Sequence, residues 1–289
     1  MSAARVLVTG AAGRLGATIV SVFQDHQVIA HTRAILDITD AAAVSQAVAA
    51  ARPDVIINCA AFNDVDGAEA APIAALAVNA FAPRNLARAA RDAGALFVHY
   101  STDFVFDGTA LQPYDEAAAP SPQSTYAASK LLGEWFALDA PRAIVLRVES
   151  LFGSAAGWTG RAGTFDNIVA GLESGRDVRV FTDRVVSPSY TPDIAAATRH
   201  LVLTGAPAGL YHCVNAGQAT WYEVAQETAR LLGISPKLVP VSVNDVQLKA
   251  RRPRFCALSP RKLAAAGVAM PPWQDALRRW LAGRVQPAA

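Results

Sequence analysis

The chain has 289 residues, which is enough for one large domain or two smaller ones with a substantial buried core. Hydrophobic residues make up 52% of it and charged residues 17%, a balance that is typical of globular proteins and excludes an intrinsically disordered chain. The 26 basic and 24 acidic residues give a formal net charge of +2, which excludes a nucleic-acid or membrane partner recognised by bulk charge alone.

The start of the chain and its cysteines indicate the compartment. The first ten residues, MSAARVLVTG, have the pattern of neither a signal peptide nor a membrane span, and no apolar run of roughly 20 residues follows them. Cys59, Cys213 and Cys256 are isolated from one another and lack the spacing of a metal site. We therefore expect a cytoplasmic protein without membrane contact or bound structural metal, whose cysteines are small buried hydrophobes in a reducing environment.

The first half of the chain alternates short apolar runs with helical patterns. Strands are predicted at residues 5–10, 27–31, 54–60, 95–102 and 143–148. Each run is continuously apolar, as a strand covered on both faces must be, and crossover helices are predicted between them, most plainly at residues 73–93 and 126–138. The pattern predicts an α/β fold with a doubly wound parallel sheet, as in Rossmann domains.

The alternation breaks after about residue 152, where loops rich in Gly, Pro and Thr appear. Later helices are predicted at residues 193–203, 222–232 and 273–281. We predict that residues 1–152 form an NAD(P)-binding domain, whose sheet later strands can complete, and that residues 153–289 are mainly a smaller substrate-binding lobe.

The stretch VLVTGAAGRLG places three glycines, Gly10, Gly13 and Gly16, directly after the first strand. Glycines at this spacing allow a tight turn and close backbone approach, and the following helix offers its unpaired N-terminal amides to a pyrophosphate. The same turn occurs in proteins without a ligand, but its place in the first βα unit favours a dinucleotide cofactor.

The end of the second strand bears on which cofactor binds. It runs into Thr32 and Arg33 without the carboxylate that would accept the ribose hydroxyls of NAD, whereas Arg33 can pair with the 2′-phosphate of NADP. We therefore favour NADPH, with NADH and a merely solvated arginine as the alternatives. Asp37 and Ile38 can flank the adenine, although this segment also supplies a helix cap at Asp40 or its neighbour.

Polar side chains follow the fourth strand, in YSTDFVFDG, and the Pro-rich loop after it leads to TYAASK. Thr102 and Asp103 come to the carboxyl edge of the sheet, where ligands bind in open α/β folds. Tyr126 and Lys130 stand one helical turn apart and share a helix face. Ketone reduction needs an acid that protonates the developing alkoxide, and a nearby ammonium lowers the pKa of a phenol towards neutrality. A tyrosine and lysine at this spacing also occur by chance, but the glycine turn and the Thr102 segment favour the catalytic interpretation.

These motifs resemble the dTDP-4-dehydrorhamnose reductase family of the extended short-chain dehydrogenase/reductases, over nearly the whole chain. The resemblance is carried by the stretches TGAAGRLG, LDITD, RPDVIINCAAFNDVDGAE, VNAFAPRNLARAA, HYSTDFVFDG, YAASKLLGE, SPSYTPDIA, GLYHCVNAGQATWYEVA and RPRFCALSPRKLAAAG. The first stretch and the Tyr–Lys motif occur across the superfamily. STDFVFDG and the last two stretches are more specific to the family.

The resemblance implies an NADPH- or NADH-dependent oxidoreductase that reduces the 4-keto group of a nucleotide-linked 6-deoxysugar. It makes Tyr126 the proton donor, Lys130 its tuning and ribose-binding partner, and Thr102 the group that hydrogen-bonds the sugar oxygen. Together with the positions argued from the motifs, the predicted cofactor-binding positions are Gly10, Gly13, Arg14, Leu15, Gly16, Thr32, Arg33, Asp37, Ile38, Ala60, Ala61, Phe62, Asn63, Tyr100, Tyr126 and Lys130. The substrate-binding positions that the resemblance implies are Thr102, Asp103, Ser150 and Arg252.

Two of the substrate-binding positions need separate comment: Ser150 departs from the family pattern, and Arg252 has an alternative interpretation. The family often has a tryptophan after strand five, where this chain has Ser150 in RVESLFG, so the identity of the 4-ketosugar is open. Arg252 approaches the nucleotide phosphates in this interpretation, and the alternative is a solvated basic loop in KARRPR.

Two other functions compete with the reductase. A non-catalytic NADP-binding regulatory subunit, resembling that of methionine adenosyltransferase, would keep the fold but has no need of Thr102, Tyr126 and Lys130 together. A related epimerase or dehydratase is disfavoured because dehydratases add an acidic pair beside the Ser–Thr element, where this chain has Asp103 followed by Phe104. A magnesium requirement and a homodimer are both left open.

Overall fold

The computed structural model describes residues 3–284. Its strands are β1 Arg5–Thr9, β2 Gln27–His31, β3 Val55–Asn58, β4 Leu96–Thr102, β5 Ala143–Val148, β6 Leu151–Phe152, β7 Val178–Phe181, β8 Val185–Val186, β9 Ser189–Tyr190, β10 Gly209–His212, β11 Ala219–Thr220 and β12 Leu238–Val241. Its α-helices are α1 Arg14–Val22, α2 Ala41–Ala51, α3 Val65–Ala70, α4 Pro72–Leu76, α5 Ala82–Asp92, α6 Thr125–Leu138, α7 Thr164–Glu173, α8 Thr191–Thr204, α9 Trp221–Leu232, α10 Arg261–Ala265 and α11 Trp273–Arg284.

Within residues 3–284, the central sheet has six parallel strands in the order β10-β5-β4-β3-β1-β2. All residues of β3, β4 and β5 are buried, while the edge strand β2 is only partly covered. This difference explains the continuous apolar runs at the centre of the sheet, because side chains on both faces of those strands meet helices. The predicted doubly wound parallel sheet is confirmed.

Helices cover both faces of the sheet. On one face, Ile19 of α1 and Leu201 of α8 pack into a buried cluster with alternate residues of the sheet. On the other face, Val48 of α2, Leu86 of α5 and Ala137 of α6 form a second cluster. Every helix in the described range 3–284 is too short or too polar to cross a membrane.

The chain after residue 152 builds a third cluster, in which Phe152, Phe165, Trp221 and Trp280 are buried together. Helices α7, α9 and α11 and the β7–β12 pair enclose this cluster, and neither α7 nor β7–β12 was predicted from the sequence. The chain also returns to the central sheet with β10, which pairs with β5. The predicted division at residue 152 stays a prediction, and its outermost residues, 1–2 and 285–289, lie outside the described range.

The helix predicted at residues 73–93 is interrupted in the structure. A π-helical turn, Ala77–Phe81, separates α4 from α5. Pro83 explains the interruption, since its ring would clash with the carbonyl of Asn79 in a regular α-helix and it has no N–H to donate there. The turn is also where α6 docks, because a Cβ on Gly133 would lie 2.1 Å from the Asn79 carbonyl oxygen.

Candidate active site

The glycine-rich turn brings the ends of β1 and β3 into backbone contact. Gly10 has φ +68°, and a Cβ at this position would lie 2.5 Å from the main-chain nitrogen of Ala60. A Cβ on Gly16 would lie 2.2 Å from the Gly10 carbonyl oxygen. Gly13 precedes α1 as its N-cap, so the first amides of the helix face a cleft beside the turn. Side chains at Gly10 and Gly16 would clash with the backbone of the turn, so this close approach requires glycine at both positions.

That cleft has a volume of about 500 Å³ and lies at the carboxyl edge of the sheet. All the predicted catalytic and substrate residues line it together with part of the predicted cofactor set, namely Gly13, Arg14, Leu15, Ala60, Ala61, Asn63, Tyr100, Thr102, Asp103, Tyr126, Lys130, Ser150 and Arg252.

A second cavity of about 480 Å³ adjoins the cleft and shares lining residues with it. It is lined by the remaining predicted cofactor positions except one, namely Gly10, Thr32, Arg33, Asp37, Ile38 and Phe62. The exception is Gly16, which lines neither space and serves the close approach inside the turn.

On the rim of the second cavity, Arg33 is exposed and stabilises the charged form of Asp37. Hydrogen bonds from the amide and hydroxyl of Thr39 are the main reason that the pKa of Asp37 lies below its ordinary value. Asp40 caps α2 through the amides of residues 42 and 43, as one of the predicted alternatives held.

Lys130 lies on the cleft-facing side of α6 and is almost completely buried. Its Nζ donates a 2.6 Å hydrogen bond to the main-chain carbonyl oxygen of Tyr100, at the end of β4. Burial lowers the pKa of Lys130 to about 8, and the charge of Glu134 partly opposes that shift. The ammonium therefore titrates near neutral pH.

Tyr126 is the second buried group on this face, and the ring of Phe104 stands edge-on to it with centroids 5.8 Å apart. Burial raises the pKa of the phenol well above its ordinary value, and the charge of Asp103 raises it further. The neighbouring Thr102 hydroxyl acts in the opposite direction. The protein's own groups thus raise the pKa of the phenol, and the predicted lowering by Lys130 stays a prediction.

A buried ion pair fixes the position of α6. Arg147 of β5 donates from Nε and Nη2 to the two carboxylate oxygens of Glu134, at 2.8 and 2.7 Å, and both side chains are 2% exposed. Ser101 of β4 donates to the same carboxylate. Two strands therefore hold the helix that carries Tyr126 and Lys130. Sequence motifs do not reveal this pair, because its members belong to a buried helix face and a strand interior.

A second carboxyl group stands beside Asp103, and it comes from Glu149 at the end of β5. Asp103 Oδ1 accepts a 2.9 Å hydrogen bond from Thr102, and Glu149 Oε2 accepts one of 2.8 Å from the amide of Ser187. The other oxygens, Asp103 Oδ2 and Glu149 Oε1, are buried without a hydrogen-bond partner among residues 3–284. Burial raises the pKa of Asp103 to about 6 and that of Glu149 well above its ordinary value.

The two arginines predicted to face the ligand are already engaged by carboxylates. The guanidinium of Arg14 pairs with Asp166 of α7 at 2.6 Å and donates to the carbonyl of Gly153. Arg252 pairs with Asp66 at 2.9 Å, and its side chain is only 12% exposed. The Arg252 side chain is therefore not solvated, and its approach to the nucleotide phosphates stays a prediction.

The cleft includes further side chains that the sequence analysis did not assign. Phe104, Arg184 and Trp221 line it, from elements distant in the chain. Ser150, at the position of the family tryptophan, also lines it and has a left-handed backbone with φ 46°. Cys213 and Cys256 are buried as predicted, whereas Cys59 is half-buried and borders both spaces.

Comparisons with known proteins agree with this architecture. Residues 4–285 match the family described as the RmlD substrate binding domain. The chain is 39% identical over 291 residues to dTDP-4-dehydrorhamnose reductase of Streptomyces griseus, covering 96% of this chain and 91% of the relative. It is 40% identical to dTDP-4-keto-6-deoxy-D-glucose reductase of Streptomyces niveus, covering 91% of each. A crystal structure of dTDP-4-dehydrorhamnose reductase from Bacillus anthracis, in complex with NADP, superimposes with a TM-score of 0.91 at 30% identity, covering 97% of this chain and 99% of that one.

Proposed function

The chain belongs to the RmlD substrate binding domain family, and from this premise we propose that it reduces the 4-keto group of a nucleotide-linked 6-deoxysugar with NADPH, Tyr126 being the proton donor. It is an oxidoreductase of the extended short-chain dehydrogenase/reductase type, and relatives that match nearly its full length are named as reductases of dTDP-sugars. These names do not favour the alternative of a non-catalytic regulatory subunit.

One observation carries the proposal: Thr102, Tyr126 and Lys130 line a single cleft that begins at the glycine-rich turn. A ketone oxygen placed against Thr102 and Tyr126 would meet both a hydrogen-bond donor and an acid. Lys130 would hold the cofactor ribose and, as an ammonium, stabilise the phenolate that forms. When bound, the cofactor supplies the hydride that reaches the carbonyl carbon.

The residues around the turn fit a dinucleotide. The close approaches at Gly10 and Gly16 keep the turn free of side chains, and the α1 amides face the cleft. The adjoining cavity would take the adenosine, with Arg33 on its rim as the partner of a 2′-phosphate. A relative's crystal complex with NADP supports NADPH, and NADH is the alternative that the assay below decides.

The two parts of the chain would divide the ligands between them. We place the cofactor mainly against residues 1–152, and the nucleotide sugar between that part and residues 153–289. Arg184, Trp221 and Arg252 of the second part line the cleft, which is where a nucleotide diphosphate would meet positive charge and an aromatic ring. A homodimer and a magnesium requirement are separate questions, for which sedimentation and assays with and without Mg²⁺ are the measurements.

The test is an assay of the purified chain against a panel of dTDP-4-keto-6-deoxysugars, each with NADPH and with NADH. We expect NADPH consumption with at least one of them, lowered about 10²- to 10⁴-fold in Tyr126→Phe, because the proton donor is lost. Tyr222→Phe is the matched control, since Tyr222 packs against the cluster around Trp221, away from the Tyr126 hydroxyl. Turnover that survives Tyr126→Phe would overturn the assignment, and a stable complex with another enzyme without any turnover would favour the regulatory function.

A further inference from the structure

The cleft contains a pair of acids that the reductase mechanism above does not use. Asp103 and Glu149 each direct one carboxylate oxygen to an ordinary hydrogen-bond donor and leave the other without a protein partner within the described part of the chain. Both side chains are more than nine-tenths buried, with 4% and 3% exposure. One oxygen of each, together with the sulfur of Cys256, falls within a group whose members all lie within 4.8 Å of one another.

We propose that Asp103 and Glu149 share a single proton as a carboxyl pair, and that this pair resupplies Tyr126, through Thr102, with the proton that Tyr126 gives to the substrate. The claim that the pair resupplies Tyr126 rests on the proposed function. The claim that the pair holds a proton depends only on the two acids and their surroundings.

The local charge balance supports a single shared proton. Among the described residues, the titratable or charged groups that act most strongly on the pair are Arg184, Cys256 and Tyr126, while Lys130 and Arg252 line the same cleft. The cation among the first three, Arg184, makes no ion pair within 4.0 Å with either acid in the described part of the chain, and its Nε donates instead to the carbonyl of Pro253 at 3.4 Å. A second buried carboxylate would be uncompensated, so it takes up a proton instead. The raised pKa values of both acids agree with this arrangement.

A cation between the same groups fits the chemistry less well. The thiol of Cys256 donates to the carbonyl oxygen of Pro253 at 3.5 Å, and burial together with the two acids raises its pKa far above the ordinary value. A thiol ligates a metal as the thiolate, which this environment disfavours. The positive charge of Arg184 would also oppose a divalent ion in the same place.

The route from the pair to the phenol is short. Thr102 Oγ1 donates a 2.9 Å hydrogen bond to Asp103 Oδ1, and Thr102 lines the same cleft as Tyr126. When Tyr126 protonates the ketone oxygen, Thr102 passes its hydroxyl proton to the phenolate. Asp103 then rotates its carboxyl group, so that the proton it shared through Oδ2 is presented to Thr102 from the oxygen that Thr102 contacts. One O–H bond of the carboxyl pair breaks, one O–H bond of the product forms, and Tyr126 and Thr102 end as they began. The pair then regains a proton from water, and Glu149 acts as a positioning residue through Asp103.

Infrared difference spectroscopy during a pH titration tests the pair directly, without any substrate. We expect the wild-type chain to show the carbonyl stretch of a protonated carboxylic acid at neutral pH, which disappears as the pH rises. This band should be absent from Glu149→Gln and retained in Asp92→Asn, a control at an exposed aspartate at the end of α5. A band that is the same in Glu149→Gln and in the wild type would overturn the pair, as would its loss on adding Mg²⁺ or Zn²⁺ at fixed pH.

The relay is tested by steady-state kinetics of the same variants. For Glu149→Gln we expect kcat to fall about tenfold or more with KM unchanged, because the amide cannot supply a proton. We also expect a change in the pH at which kcat declines on the alkaline side of the pH profile. Glu149→Asp keeps a carboxyl group, should recover part of the rate, and serves if the glutamine variant does not fold. An unchanged kcat and pH profile in Glu149→Gln would overturn the relay. Absence of turnover in the wild type would instead overturn the proposed function, while the infrared band still decides whether the pair holds a proton.

Discussion

Lys130 donates its 2.6 Å hydrogen bond to the main-chain carbonyl of Tyr100, which ties α6 to the end of β4 inside the cleft. The ammonium that this bond stabilises is nevertheless destabilised by burial, so its pKa falls from 10.5 to about 8 in the folded protein. The unfolded chain therefore binds more protons than the folded one between these two values. Lys130 by itself therefore contributes stability that rises with pH across this window.

The first prediction concerns this pH dependence. As the pH rises from about 8 to about 10.5, Lys130 should contribute about 3 kcal/mol to the free energy of unfolding, at 1.36 kcal/mol per pKa unit. Lys130→Met should lose this contribution, whereas Lys237→Met, at an exposed lysine, should keep it. Urea unfolding at several pH values measures it, and equal pH slopes in the wild type and Lys130→Met would contradict it.

The second prediction concerns the buried ion pair behind α6. Glu134→Gln leaves the guanidinium of Arg147 buried without its bidentate partner, which should destabilise the protein by about 3–5 kcal/mol. The control is Arg230→Gln, which breaks the surface pair of Arg230 with Glu227 and should leave the free energy of unfolding nearly unchanged. Chemical denaturation measures the free energy of unfolding of both variants. Equal decreases would show that the buried pair stabilises the protein no more than the surface pair does.

The third prediction uses two glycines with nearly the same backbone. Gly10 and Gly175 have φ +68° and +66°, so an alanine at either should cost about 1–2 kcal/mol for the left-handed conformation. At Gly10 the new Cβ also meets the backbone of Ala60, which should add about 1–3 kcal/mol and weaken cofactor binding. At Gly175 a Cβ would meet no described atom within 4 Å. Equal unfolding free energies for Gly10→Ala and Gly175→Ala would refute the close contact.

The fourth prediction concerns cofactor choice and rests on the proposed function. Arg33→Ala should weaken binding of NADPH by about tenfold, because an exposed ion pair with the 2′-phosphate contributes on the order of 1 kcal/mol, and should leave NADH binding unchanged. Arg91→Ala removes an exposed arginine of α5 that pairs with its neighbour Asp92, and should change neither affinity. Titration calorimetry with both cofactors decides the matter, and a parallel loss for NADPH and NADH would exclude the phosphate role.

Local patterns were enough to predict which residues lie together at the cleft. Tyr126 and Lys130 share a helix face because of their spacing, and Thr102 reaches the same edge because parallel strands end there together. The roles of these residues remain proposals. The positions of the central strands were also predicted correctly, because strands covered on both faces have continuous apolar runs.

The acid pair and its neighbours could not be predicted, because they depend on contacts between segments that are distant in the sequence. Glu149 precedes Ser150 in RVESLFG without any motif of its own, and its approach to Asp103 follows from the pairing of β5 with β4. Arg184 and Cys256 reach the same place from the second half of the chain, at sequence distances over which no local periodicity carries information. Asp103 and Glu149 therefore form an acid pair that a pattern of adjacent acidic residues does not reveal.

The sixth strand of the sheet has a consequence for how the protein is made. β10 pairs along β5, but the ribosome delivers it only after the whole of α7 and α8 has been synthesised. Until then one edge of β5 in the nascent chain has unpaired amides and carbonyls. Such an edge can form hydrogen bonds with strands of other chains. Folding during translation must hence wait for residues 209–212, and a truncated product that stops before them would be a candidate for aggregation and for chaperone capture.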